Sequence, residues 1–360
     1  MSSIRSSPDF IPMNPLFTPS GRRRFLRTAA AASASLLAAP YIRAQDKSGT
    51  RRPVVGAGAH TYECLHDWGE LPDDIAYGKT HGVAQDAAGF VYVKHTVHAT
   101  SRKADAVVVF DPDGTFVRSW GAEFRGGAHG LHLAKEGGVE YFYLCDTERH
   151  LLVKSTLAGE AIWSRGCPFE TGFYKKPEEY SPTNVATSPD GTVYVSDGYG
   201  RNYIHVYHPD GTYLRSFGGT GSALGRLSTP HGLMVDTRGP LPELVVADRT
   251  NHRLEYFSLE GVALRTVTDE LRMPCHFHQR GTELLIPDLK SRVTLFDRDN
   301  RLITHLGDGG DYAGIRDQPR TAFTPGKFVA PHGAIFDRDG NIFVVEWVEV
   351  GRVTKLRRVS

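Results

Sequence analysis

The sequence predicts an all-β fold, a six-bladed β-propeller closed by a strand from its N-terminal side, and three observations predict it. The first is an internal repeat. THGVAQDAAGFVYVKH from Thr80, AHGLHLAKEGGVEYFYLCD from Ala128 and TNVATSPDGTVYVSD from Thr183 follow one plan. So do PHGLMVDTRGPLPELVVAD from Pro230, CHFHQRGTELLIPD from Cys275 and PHGAIFDRDGNIFVVE from Pro331. Each opens with His or Asn, passes through a short apolar strand, turns at an Asp/Gly site, and climbs an apolar strand ending mostly in Asp or Glu. The anchors His81, His129, Asn184, His231, His276 and His332 are 48, 55, 47, 45 and 56 residues apart. Repeats of that length belong to propellers, solenoids or arrays.

The second observation is another hairpin between anchors: AVVVFDPDGTFVRSWG, IHVYHPDGTYLRSFGG, LEYFSLEGVALRTV and VTLFDRDNRLITHLG. Asp-Gly and Asp-Asn between alternating strands are hairpin turn chemistry. Two hairpins per unit make a four-stranded antiparallel sheet, the blade of a propeller. The third observation is the way the chain ends. The last unit has its inner strands and GRVTKLRRV, then stops at Ser360, one strand short. HTYECLHDWGELP, near residues 60–72, supplies the missing outer strand, its HDWG echoing RSWG at 118–121. A ring closed this way leaves no lateral sheet edge open to unwanted pairing. A sandwich of similar strand count does not require an equivalent His at the start of every unit.

Composition agrees with one folded domain over residues 45–360. The chain has 360 residues, 42 Lys+Arg against 41 Asp+Glu, and 40% hydrophobic residues. This excludes disorder, and the near-neutral charge argues against nucleic acid or an anionic membrane as the main partner. Cys64, Cys145, Cys167 and Cys275 have no CxxC spacing, so they give neither a zinc-thiolate knuckle nor a disulfide scaffold. Ahead of the repeats, SGRRRFLR at 20–27 and TAAAASASLLAAP read as a twin-arginine export signal over residues 1–44. The apolar run is too short and too Ala-rich to span a membrane. Cleavage near Ala44 removes six Arg and Asp9 and takes the net charge from +1 to −4. The expected location is periplasmic or secreted, and the expected state a monomer.

The inner strand of each blade lines the central channel, so the anchors recur around the axis. Five of the six are His, in a chain with 16 histidines. Any one of them has an ordinary explanation, an imidazole bonded to nearby backbone. As a set they say more. Alternate blades stand about 120° apart in a six-fold ring. His129, His231 and His332 are separated by 102 and 101 residues, two blades each time. Three imidazoles converging on one axis with a fourth position open are a catalytic zinc arrangement. The other alternate set, His81, Asn184 and His276, contains an amide and is the poorer site for a transition metal; it is expected to supply outer or substrate contacts. At the channel mouth lie Lys94 and His95, Asp146, Asp197 with Tyr199, Asp248 with Arg249, Asp288 and Glu346. The acidic members are expected to tie down turns. Tyr199 and Arg249 bring a phenol and a guanidinium from adjacent blades towards the metal.

The units resemble NHL repeats over residues 55–360. At the residues just named, the chain resembles the peptidyl-α-hydroxyglycine α-amidating lyases. The likeness is strongest over YSPTNVATSPDGTVYVSDGYGRNYIHVYHPDGTYLRSFG and STPHGLMVDTRGPLPELVVADRTNHRLEYF. The resemblance implies that His129, His231 and His332 hold zinc, that Tyr199 of SDGY is the catalytic tyrosine, and that Arg249 of ADR pairs with a substrate carboxylate. It implies cleavage of a C–N bond in a carbinolamide to give an amide and glyoxylate. There are departures. Ala330 and Gly333 flank His332 where the family carries Met and Asp; without that Asp a calcium ligand is missing, and calcium is doubtful. The family's first-blade Arg has only Lys94 and His95 nearby, and its paired cysteines are absent. Two other classes share the fold. One is a lactonase-type hydrolase, expected to hold calcium by Glu, Asp and Asn. The other is a non-catalytic propeller binding a peptide, glycan or protein.

Overall fold

Short apolar stretches of four to eight residues separated by Asp-Gly and similar turns favour antiparallel hairpins. The computed structural model describes residues 52–310 and 313–359, and hairpins account for nearly all of it. The proposed export signal at 1–44 lies outside the described residues. Five blades are four-stranded sheets spanning 80–120, 128–165, 184–218, 230–267 and 278–306. Their inner strands are Thr80–Gln85, Ala128–Glu136, Asn184–Thr187, Pro230–Asp236 and His278–Arg280. The sixth blade begins with Pro331–Phe336, continues through Ile342–Glu346 and Arg352–Arg358, and takes its next strand from His60–Leu65. The fold is the six-bladed β-propeller expected from the repeats. Among the described residues, no helix is long and apolar enough to cross a membrane.

The ring closes where the sequence places the closure. His60–Leu65 runs antiparallel to Arg352–Arg358, with Tyr62 opposite Arg358 and Cys64 opposite Leu356. The structure adds a strand that the repeat count did not call for. Val54–Ala57 folds back on His60–Leu65 through a two-residue turn and makes the sixth blade five-stranded. The strand also ends at Leu65, before the HDWG segment. Trp68 of that segment packs instead on Phe110 of blade one and Phe343 of blade six, ring centroids 5.5 and 4.6 Å away.

There is no single core. Apolar side chains form separate clusters in the seams between adjacent blades, because each blade shows one face to each neighbour. Leu285 and Leu295 of blade five meet Ile342, Val344 and Leu356 of blade six, while Val93 and Val108 of blade one meet Phe343 and Val345 from the other side. Cys64, Cys145 and Cys275 are buried, and Cys145, Cys167 and Cys275 are free thiols. Each seam is needed to hold the circle, so a defect in the closing seam is felt by the whole ring. Leu356 is fully buried, pairs with Cys64 of the closing strand within blade six, and packs in the cluster between blades five and six. Leu356→Ala is expected to lower the unfolding free energy by about 2–5 kcal/mol, the usual range for such a truncation. Denaturant titration against wild type checks this, and a loss below about 0.5 kcal/mol contradicts closure by this strand.

Candidate metal centre

Four inner strands carry a fault in their pairing with the next strand. The register slips between Thr80 and Gly82, Ala128 and Leu131, Pro230 and Leu233, and Pro331 and Gly333. Each slip contains an anchor histidine: His81, His129, His231 or His332. A bulge bends its strand and re-aims the side chain it carries. Each of these histidines is followed by glycine, and the space explains the glycine. A Cβ on Gly130 would lie 2.6 Å from the Thr183 carbonyl oxygen, on Gly232 2.4 Å from that of Cys275, and on Gly333 2.9 Å from that of His81. Only a residue without a side chain lets neighbouring inner strands come this close.

The same carbonyls fix the imidazoles. Nδ1 of His129 donates to the Thr183 oxygen at 2.6 Å, Nδ1 of His231 to the Cys275 oxygen at 2.8 Å, and Nδ1 of His332 to the His81 oxygen at 2.8 Å. A proton held on Nδ1 leaves the lone pair on Nε2, the tautomer a metal requires. The three rings stand 4.8, 4.9 and 4.6 Å apart, a near-equilateral triangle about the axis. His81 joins them. Its ring is 4.7 Å from His129 and 4.5 Å from His332, and ligand atoms of His81, His129 and His332 lie within 4.8 Å of one another. His231 faces this trio from blade four, across the ring from blade one.

Tyr199 and Arg249 close the mouth above the triangle. The Tyr199 hydroxyl lies 3.1 Å from Nε2 of His129 and 3.1 Å from Nε2 of His231. Arg249 donates to that hydroxyl at 3.3 Å and stacks over the phenol ring at 5.3 Å. Tyr199 remains 45% exposed as a whole, while its hydroxyl points inward against the two imidazoles. The acidic residues of the row hold these loops as expected. Asp197 accepts from the Ser181 and Arg201 backbone and from the Tyr174 hydroxyl, on either side of Tyr199. Asp248 accepts from the Ser228 backbone and from Asn251 and Arg253, on either side of Arg249.

Burial sets the protonation states. Desolvation pushes His129 down to about 3 and holds His231 and His332 well below the usual histidine range; the Arg249 guanidinium adds repulsion at all three, and neighbouring imidazoles add it at His231 and His332. At neutral pH all are uncharged nitrogen donors. The phenol of Tyr199 is shifted upward, because desolvation outweighs the lowering by Arg249. Without a cation it is a proton donor and not a base. Neutral imidazoles suit zinc and its first-row neighbours, whereas calcium takes oxygen ligands. The donor set therefore fits a transition-metal ion. Ligand atoms of His81, His129 and His332 are close enough to share one, with the ring of His231 4.6 Å from that of His332.

The chain is similar to the peptidylglycine α-amidating monooxygenases. It is 30% identical over 162 residues to peptidyl-glycine alpha-amidating monooxygenase A of Xenopus laevis and 29% identical over 167 residues to the Mus musculus enzyme. Each match covers 43% of this chain, and the chain spans only about a sixth of those relatives, 17% and 16%. No protein-family model matches. Among solved structures, a streptogramin B lyase superposes with a TM-score of 0.55 at 11% identity, covering 82% of this chain and 97% of its own. An inactive virginiamycin B lyase of Staphylococcus aureus bound to quinupristin gives 0.51 at 11% identity, covering 82% of this chain and all of its own. At that identity these likenesses establish the propeller fold alone.

The remaining anchors go elsewhere. Asn184 sits in a strand without a bulge, and its side-chain oxygen accepts from the Val185 backbone. His276 lies just before its inner strand. It lines a cavity of about 930 Å³ at the other end of the inner strands, with His132 and His278. Lys94 and His95 do not reach the channel mouth, since both are fully buried. The Lys94 ammonium bonds the Gly130 and Cys145 carbonyls between blades one and two, and His95 accepts from the Gly78 and Val97 backbone. The reading by alternate blades missed that His81 belongs with the converging set. The His-Gly pair was the available signal, since it marks His81, His129, His231 and His332 and neither Asn184 nor His276.

Neutral buried imidazoles make stability depend on pH. His95, His129, His205 and His278 are pushed down to about 3, and His132 and His276 to about 4, all by burial. In the unfolded chain each titrates near 6.5. Below that pH the unfolded chain binds more protons, so stability falls with acidification until the folded values are reached. At pH 5 the loss is about 2 kcal/mol for each such imidazole. The thermal midpoint of the metal-free protein is expected to fall steadily from pH 7 to pH 5. A midpoint that does not change over that range contradicts the neutral assignment.

Proposed function

We propose that this chain is an exported zinc-dependent lyase that cleaves the C–N bond of an α-hydroxyglycine-type carbinolamide, releasing an amide and glyoxylate. The observation that carries the reading is the meeting of three tautomer-fixed imidazoles with a phenol hydroxyl that touches two of them and a guanidinium behind it. The similarity to the α-amidating monooxygenases, though confined to part of each chain, supports the same reading. The imidazole donors favour it over a lactonase-type calcium site.

In this reaction the bond from carbon to the amide nitrogen breaks and its electron pair leaves with nitrogen. The hydroxyl oxygen forms the aldehyde, and one proton passes from that oxygen to the nitrogen. Zinc, when bound, supplies a Lewis acid that lowers the pKa of the hydroxyl. The protein supplies the rest. Tyr199, protonated in its resting state, is placed to donate to the departing nitrogen and to recover a proton from the substrate hydroxyl. Arg249 presents a planar fork to the carboxylate beside the reacting carbon, a pairing for which guanidinium geometry is suited. Its Nε is buried without a partner among the described residues, so a donor stands ready for an anion.

Purified protein is expected to contain stoichiometric zinc and to release glyoxylate from an N-acyl-α-hydroxyglycine. Tyr199→Phe should reduce kcat by about 10²–10⁴, the usual worth of a positioned proton-transfer group. Arg249→Ala should act mainly on KM. His231→Ala turning over as fast as wild type rules the reading out, and metal-free protein with a stable fold points to a binding propeller instead. Export is tested separately. Replacing Arg22 and Arg23 by Lys is expected to retain the chain in the cytoplasm, and unchanged export by fractionation excludes the twin-arginine route.

A further inference from the structure

Four imidazoles reach the axis, and the fourth is the one whose hydrogen bonding is incomplete. His81 occupies the same kind of bulge as the other three and also precedes a glycine, where a Cβ would lie 2.6 Å from the Cβ of Leu131. Its Nδ1 lies 3.3 Å from Nε2 of His332. His332 has already committed its Nδ1 proton to the His81 carbonyl, so its Nε2 accepts and the Nδ1 of His81 must carry the proton. Nε2 of His81 is then left buried and unpartnered among the described residues, in a ring only 7% exposed. His129, His231 and His332 each spend Nδ1 on backbone; His81 spends its own on another ligand.

A cation at Nε2 of His332 takes the lone pair to which His81 donates. Unless His81 responds, both of its ring nitrogens are stranded. A buried polar group left without a partner forfeits the water bonds it gave up on folding. We propose that His81 is a fourth imidazole ligand of the axial metal ion, beside His129, His231 and His332. The geometry already favours it. Ligand atoms of His81, His129 and His332 are mutually within 4.8 Å, and His231 approaches from the opposite blade.

The consequence is specific. Four protein nitrogens complete the tetrahedral shell of zinc, and a complete shell is characteristic of structural sites. With all four imidazoles bound, the centre would be closed, and a substrate hydroxyl would need one of them to withdraw. His81 is the one to go, because no backbone carbonyl holds its Nδ1. The inference rests on the metal-holding part of the proposed function and not on the lyase chemistry.

X-ray absorption on the zinc-loaded full-length chain, read for outer-shell imidazole scattering, tests it. Four imidazoles are expected in wild type and three in His81→Gln, with zinc affinity weakened by about tenfold or more. Adding glycolate as an unreactive α-hydroxy acid should exchange one nitrogen for oxygen in wild type. Three imidazoles in wild type, an unchanged count in His81→Gln, or failure of wild type to take up zinc each overturn the proposal. If His81→Gln does not fold, the wild-type count decides alone. Four imidazoles without glyoxylate release would remove the lyase reading and leave this ligand assignment standing.

Discussion

Hydrogen bonds from Nδ1 of His129, His231 and His332 to the backbone of a neighbouring blade are the constraint on which the candidate site depends. They do two things at once. Each fixes a ring in orientation and tautomer, so that Nε2 faces the axis, and each ties one blade to the next at the narrowest part of the ring. The bulges aim the histidines inward, and the glycines after them let the acceptor strands approach. Replacing any of these three parts disturbs the other two.

The mouth of the channel is stiffened by a different device. Asp146, Asp197, Asp248, Asp288 and Glu346 are almost wholly buried, and each accepts backbone donors from the loops around it. A buried carboxylate with several donors makes its loop rigid, although desolvation raises Asp197 to about 6 and moves Asp248 upward as well. Tyr199 and Arg249 follow two of these carboxylates closely in sequence, so their approach to the imidazoles is set by loops with little freedom. The acidic row is structural, and it is also the reason a phenol and a guanidinium can be held within 3.3 Å of each other above the channel.

Burial then determines the chemistry available. It keeps the imidazoles neutral, with a lone pair to offer, and it raises the Tyr199 phenol, which keeps it protonated at neutral pH. The thiols of Cys145 and Cys275 are pushed up to about 12 and serve as packing. The carbonyl of Cys275, and not its sulfur, is the part that meets the site. Lys94 is a buried ammonium satisfied by two carbonyls, and burial brings it down to about 8. It takes no part in lining the channel, although it pairs with Gly82, the residue that follows an anchor histidine.

The fold was legible in the sequence because a repeat fixes strand number, blade number and closure together. The three histidines on alternate blades, Tyr199 and Arg249 were legible for the same reason, since equivalent positions in a ring face a common axis. What sequence could not decide was which anchors turn fully inward. Asn184 bonds its own backbone, His276 turns to the far cavity, and His95 is buried behind the wall, all from positions that look equivalent or adjacent in the repeat. Bulges and close strand approach made that choice. They arise from packing between blades distant in sequence, and only the assembled ring brings those blades together.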